Sequence, residues 1–235
     1  MNTPQLALGL RFPPDSRLDT FRGPPVGLLD VLAALASGEA SSTTQAGLFL
    51  VGASGSGKTH LLLATCAAAD AARVEAAYLP LRLFGARAAD ALVHQGTPGL
   101  ACIDDVEAIA GDRDAEVALF DLHNRVRDAG GTLVYTSATT PAHLDLALPD
   151  LRSRLAQGTR FALAVPDEDQ RRAILCDRAA TRGFDLDEAV LDYLLRRVGR
   201  DLATLTALLD RLDRASLAAR RRITVPFLKD VIDGG

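Results

Sequence analysis

The sequence predicts an α/β protein, with a parallel-sheet core built around a glycine-rich loop and a small, all-helical C-terminal domain after it. Three observations predict this. Short apolar runs such as "GLFLV" (47–51) and "GLACIDDV" (99–106) read as strands buried on both faces. The glycine-rich "GASGSGKT" lies between the first of these runs and "LLLATCAAADAA", a strong helix-former segment. Beyond Pro166 every segment reads as a helix and no strand candidate remains.

The elements follow in chain order. Residues 1–20 read as an extended leader with three prolines, Pro4, Pro13 and Pro14, and little periodicity. Residues 21–166 read as the core. Here "GLLDVLAALAS" has helical apolar spacing, and the polar "GEASSTTQ" is a loop before the first strand. "VEAAYLPL" is a second strand candidate, and "GLACIDDV" a third that ends in carboxylates. "AEVALFDLHNRVRDAG" is an amphipathic helix closed by Gly130 and Gly131. "TLVYTSA" and "RFALAV" supply the fourth and fifth strands. Residues 167–235 read as the helical domain, with Asp167 and Asp187 placed to cap helices and Pro226 suited to a first turn.

Bulk composition limits what such a chain can do. The 235 residues are 48% hydrophobic, enough for a sizeable core, and no run reaches membrane-spanning length. A net charge of -4 argues against a protein that wraps nucleic acid over its whole surface. Cys66, Cys102 and Cys176 are scattered, odd in number and set in apolar contexts without metal spacing. They read as reduced core residues, which points to the cytoplasm. The terminal run "QLALGL" has no basic lead-in and no cleavage site, so it is not a secretory signal. By its residues alone it is an edge strand, a packed tail or a bait for a partner.

The loop satisfies G-x-x-x-x-G-K-[ST] at Gly52, Gly57, Lys58 and Thr59, and Ala53, Ser54, Gly55, Ser56 and the following His60 complete the candidate nucleotide site. Glycines let successive N–H groups converge on phosphate oxygens, and the helix that begins at Lys58 adds its positive end. Lys58 reaches the β- and γ-phosphates and the Thr59 hydroxyl ligates Mg²⁺. An apolar strand that ends in Asp104 supplies the second magnesium-side group, with Thr59 and Asp104 as the metal pair. Asp105 follows where many P-loop ATPases carry a glutamate that orients the attacking water.

Together the P-loop, "CIDD" and the helical C-terminal segment resemble the AAA+ ATPases. "DLHNRV", "LVYTSATTPAHLDLALPDLRSRLAQG" and "LDRASLAARRRITVPFLKDVI" narrow the resemblance to the DnaA-related AAA+ family, over essentially the whole chain. Within it the chain is similar to the Hda-type regulatory inactivators of DnaA. The resemblance implies a P-loop AAA+ core with a helical lid, resident ADP or ATP with Mg²⁺, and a partner in ATP-bound DnaA. It further implies that Arg154 in "LRSRL" is an arginine finger offered to another subunit's nucleotide, with Arg152 beside it. "QLALGL" then resembles a sliding-clamp-binding motif, with Gln5 in a polar niche and Leu6, Leu8 and Leu10 as anchors. A homodimer is compatible with such a finger, and contact with DNA would run through the clamp.

Two positions depart from the family pattern. The polar sensor after the fourth strand aligns with Ala138, with Ser137 or Thr139 as substitutes, and the lid arginine aligns with Ala203, with Arg200 one turn earlier. Both losses suit a chain that binds nucleotide and assists another's catalysis. The other readings are an autonomous ATPase, such as a helicase loader, and a DNA-binding initiator supported by "ARRR" (219–222).

Overall fold

A computed structural model describes residues 13, 15–39, 46–197, 202–219 and 223–233. Gln5, Leu6, Leu8 and Leu10, Arg200 and the arginines at 220–222 lie outside the described residues, as does the side chain of Ala203.

Five parallel strands form the core: β1 (Leu48–Gly52), β2 (Ala76–Pro80), β3 (Leu100–Asp104), β4 (Thr132–Ser137) and β5 (Thr159–Leu163), in the order β2-β3-β4-β1-β5. All five predicted strands are present, with bounds shifted by one or two residues. The helices are α1 (Leu28–Ala36), α2 (Lys58–Ala71), α3 (Leu81–Phe84), α4 (Ala88–His94), α5 (Arg113–Asp128) and α6 (Pro149–Gln157) in the core. The lid adds α7 (Glu168–Thr181), α8 (Glu188–Arg197), α9 (Leu202–Ala219) and α10 (Val225–Asp233).

Strand alternation divides the apolar residues between two layers. Leu48, Leu50, Leu100, Cys102 and Val134 face α1 and α2, whereas Phe49, Ala101, Ile103, Leu133 and Tyr135 face the side covered by α3 to α6. α5 docks through Ala115, Ala118, Leu119, Leu122 and Val126, the spacing of one helical face. It starts at Asp112, whose side chain accepts the Ala115 N–H at 3.1 Å. It ends in a Schellman turn: Gly130 takes φ 81°, and Gly131 N–H reaches Val126 O at 2.8 Å. α3 and α4 carried no prediction. They are four and seven residues long, separated by a 3₁₀ turn at Gly85–Arg87, and too short to display a period.

The lid has its own core of Leu175, Val190, Leu191, Leu194, Leu205, Leu209 and Leu212. Asp167 caps α7 in a reciprocal box with Gln170, Asp187 accepts the Val190 N–H at 2.8 Å, and Pro226 sits in the first turn of α10, as predicted. Cys66 and Cys102 are buried thiols, but Cys176 corrects its expectation and is exposed. Leu175 and Ala179 hold the buried face of α7, and the residue after Leu175 is rotated away from it.

Residues 15–20 fold against both parts of the molecule. Asp15 and Ser16 are buried, and a short 3₁₀ turn spans Leu18–Thr20. Asp15 Oδ2 lies 3.3 Å from Arg178 Nε and 3.7 Å from Arg182 on α7. Arg22, just beyond it, pairs with Asp177, so three ion-pair contacts tie residues 15–22 to the lid. No helix among the described residues is long and apolar enough to cross a membrane.

Candidate functional site

The site lies at the carboxyl ends of β1, β3 and β4, where open α/β sheets bind ligands. Strand register places its parts. β3 and β4 align Ile103 with Tyr135, so Asp104 and Thr136 emerge side by side. β4 and β1 align Ser137 with Val51, one residue before the loop begins at Gly52.

The loop itself turns on glycines with positive φ. Gly55 and Gly57 adopt 82° and 88°. A Cβ on Gly57 would stand 2.6 Å from the ring of Phe21, so glycine is required there twice over. Lys58 is buried at the start of α2, and its Nζ donates to Gly52 O at 2.6 Å and Ala53 O at 3.2 Å. The Ser56 hydroxyl is buried without a hydrogen-bond partner among the described residues. An unspent buried hydroxyl, two left-handed glycines and an ammonium at a helix start fit a bound phosphate chain.

Asp104 is the hub of the polar network. Its Oδ2 accepts from Thr59 Oγ1 at 2.6 Å and from the Tyr78 hydroxyl at 2.9 Å, and Oδ1 accepts from Thr136 Oγ1. Burial first, and then Asp104, push the Tyr78 phenol well above its ordinary value, so it remains a donor. Thr59 and Asp104, the residues expected to share a metal, are thus in direct hydrogen-bond contact. The polar residue that reaches Asp104 from β4 is Thr136. Its Oγ1 also accepts the Asp105 N–H at 3.0 Å. Of the substitutes expected for Ala138, Ser137 only accepts the Thr139 N–H at 3.2 Å. Side chains alternate along a strand, so one residue of register decides which of them faces the carboxylate.

Asp105 stands in the left-handed region at φ 57°. Its Oδ2 accepts from Arg82 Nε at 2.8 Å, and the same guanidinium lies 3.5 Å from Glu107. Asp105 and the neighbouring Glu107 hold the Arg82 guanidinium above its ordinary value. The backbone N–H of Ala138 donates to Glu107 Oε1 at 3.2 Å. His60 stacks on Phe21, with ring centroids 6.1 Å apart, and its Nε2 lies 3.1 Å from Arg17 O. Burial first, with Arg178 adding to it, lowers the imidazole and keeps it neutral.

Ser54, Gly55, Gly57, Lys58, Thr59, His60, Asp105 and Ala138 line one cavity of about 590 Å³. The lid closes it with Arg178, Arg182, Thr206 and Asp210. Arg178 bonds Thr206, and Arg182 reaches Asp210 at 2.6 Å. These arginines, Arg82 and Asp15 escape a sequence reading. They carry no motif and enter the site only through the way α7, α3 and the N-terminal segment pack. A smaller, mostly apolar cleft beside the loop is lined by Phe21, Gly57, Pro166 and Ile174.

Arg154 is elsewhere. It lies in the last turn of α6, exposed and absent from the lining of this cavity. Neither Arg152 nor Arg154 has a side-chain hydrogen bond or ion pair with any described residue.

A five-stranded parallel sheet in this order, with a P-loop after β1, an acidic end to β3 and a helical lid, defines an ATPase core of the AAA+ class. The family is narrower still. Residues 17–162 match the model of the bacterial DnaA ATPase domain and residues 167–232 that of the Hda lid domain, and the chain belongs to this DnaA-related family. Solved structures carry the same fold. Domain III of the Thermotoga maritima replication initiation protein DnaA is 22% identical, with a TM-score of 0.74 over 95% of this chain and 98% of that one. DnaA of Aquifex aeolicus, bound to AMPPCP, is 21% identical with a TM-score of 0.66, over 88% of this chain and 67% of that one. The Thermotoga maritima RuvB branch migration motor is 17% identical with a TM-score of 0.56, over 86% of this chain and 64% of that one.

Proposed function

We propose that this chain regulates chromosome replication initiation by stimulating hydrolysis of the ATP carried by DnaA, with a nucleotide in its own P-loop and a leader tethered to the sliding clamp. The observation that carries the reading is Arg154. It is an exposed guanidinium at the end of a well-anchored helix, outside the chain's own cavity and without a hydrogen-bond or ion-pair partner among the described residues. Such a group is free to meet a nucleotide held by another molecule. There it would stabilise charge on the transferring phosphoryl group, a contribution on the order of 10³–10⁵ in rate.

The chain's own cavity supports a holding role. Gly55, Gly57 and Lys58 would receive the phosphates of ADP or ATP, Thr59 and Asp104 would hold Mg²⁺, and the apolar cleft at Phe21 and Ile174 suits the face of a base. The Mg²⁺ would screen phosphate charge. Hydrolysis is disfavoured because Asp105, the candidate water-positioning group, already accepts from Arg82, and Ala138 brings no polar side chain to that end. The leader residues Gln5, Leu6, Leu8 and Leu10 would bring the chain to the clamp on DNA.

The test is a reconstituted reaction with DnaA loaded with labelled ATP, clamp-loaded DNA and this chain. The expected result is conversion to ADP that needs all components and falls to the basal rate in Arg154→Ala. Full conversion by Arg154→Ala would refute the reading, and brisk ATP turnover by the chain alone would favour an autonomous ATPase.

A further inference from the structure

Glu116 takes no part in the nucleotide cavity, yet it is a carboxylate with 0% exposure. Both of its oxygens are spent on backbone. Oε1 accepts the N–H of Gly111 at 2.8 Å and of Ala147 at 3.0 Å, and Oε2 accepts that of Leu148 at 2.7 Å. It forms no ion pair among the described residues. Burying a carboxylate is costly, and only donors of this quality offset the cost.

The donors are informative by position. Ala147 and Leu148 lead directly into α6, the helix that carries Arg154, and Leu148 is its N-cap. Leu148 has no side-chain oxygen to cap the helix; Glu116, from α5, accepts the N–H of the cap residue itself and places negative charge at the positive end of α6. Gly111 closes the segment that runs from Asp104 and Asp105 through the 3₁₀ turn at Val106–Ile109. One side chain thus pins the start of α6 to the end of the segment that leaves the nucleotide site. Leu151 and Leu155 bury one face of the helix, and the hydrogen bonds at its start add a directional restraint that apolar contacts alone do not supply.

We propose that Glu116 is the positioning residue for Arg154, setting the axis of α6 so that the guanidinium presents in one place. The proposal rests on the reading of Arg154 given above. A reacting group displaced by about 1 Å costs on the order of 10²-fold in rate, so even a loosened helix start is felt at its far end.

The experiment uses the full chain in the reconstituted reaction, with Glu116→Gln and Arg154→Ala alone and combined. An amide at 116 keeps one acceptor and turns an NH₂ against a donor N–H, so it loosens the helix start without emptying the core. Glu116→Gln should lower the maximal rate about tenfold or more while the half-saturating DnaA concentration and the chain's own nucleotide affinity stay within about twofold. In the Arg154→Ala background it should have no further effect, because its action passes through that guanidinium. A full rate in Glu116→Gln, or the same fold loss in both backgrounds, would overturn the positioning role and leave Arg154 in place. An Arg154→Ala chain that still stimulates fully would overturn the functional reading instead. Should Glu116→Gln not fold, Glu116→Asp, which withdraws the carboxylate by one methylene, is judged by the same outcomes.

Discussion

The imidazole of His123 makes the stability of this protein fall on the acid side by an amount the structure sets. The residue is 3% exposed, its Nδ1 lies 2.7 Å from the Tyr135 hydroxyl, and its ring stacks on that phenol. Burial first, and then the guanidiniums of Arg127 and Arg154, push it from 6.5 down to about 4. With the folded value below the unfolded one, the unfolded chain takes up the proton first, and stability drops as pH falls. The contribution is whole above the unfolded value of 6.5 and is lost progressively toward about 4. Linkage over that interval gives a loss of about 2 kcal/mol by about pH 5 and about 3 kcal/mol by about pH 4. The assay is urea unfolding of wild type and His123→Gln at near-neutral and mildly acidic pH. The amide still meets the Tyr135 hydroxyl but does not titrate, and carboxylates common to both chains cancel in the difference. Wild type should lose about 2 kcal/mol more than the variant between about pH 7.5 and about pH 5. Equal losses in the two chains would refute the reasoning. Arg154→Ala, which removes one repelling charge, should make the wild-type decline shallower.

Two further predictions concern the ties around the nucleotide cavity. Asp15→Asn removes the charge that faces Arg178 and Arg182; among the described residues Arg182 keeps Asp210 and Arg178 keeps the neutral Thr206. The variant should lose about 3 kcal/mol and melt roughly 6–12 °C lower by calorimetry, and an unchanged Tm would show that this buried pair is worthless. Thr136→Val strips the hydroxyl that donates to Asp104 and accepts the Asp105 N–H. It should cost about 1–3 kcal/mol in urea unfolding and weaken nucleotide binding chiefly when Mg²⁺ is present, and equal weakening with and without the metal would refute the link to Asp104.

Local pattern determined much of this molecule before any tertiary contact was considered. Five runs rich in apolar residues declare five strands: the central β1, β3 and β4 are buried almost throughout, whereas the edge strands β2 and β5 are only partly covered. Gly52, Gly57, Lys58 and Thr59 declare a phosphate loop because the backbone chemistry needs those residues at that spacing. Asp167 and Asp187 declare helix starts, and each cap is made within three residues. What only the tertiary structure decided lies where residues far apart in the chain meet. Strand register chose Thr136 over Ser137 and Thr139 as the group on Asp104, and packing set Arg82 against Asp105, 23 residues away. The rotation of α7 sent Cys176 outward and turned Arg178 and Arg182 over the loop. Glu116, which no sequence pattern singles out within its amphipathic helix, is buried against the start of α6 because the chain returns to it 31 and 32 residues later. A pattern of near neighbours fixes which element forms. Which side chains an element points at one another is settled by its register and rotation, and these are properties of the assembled core.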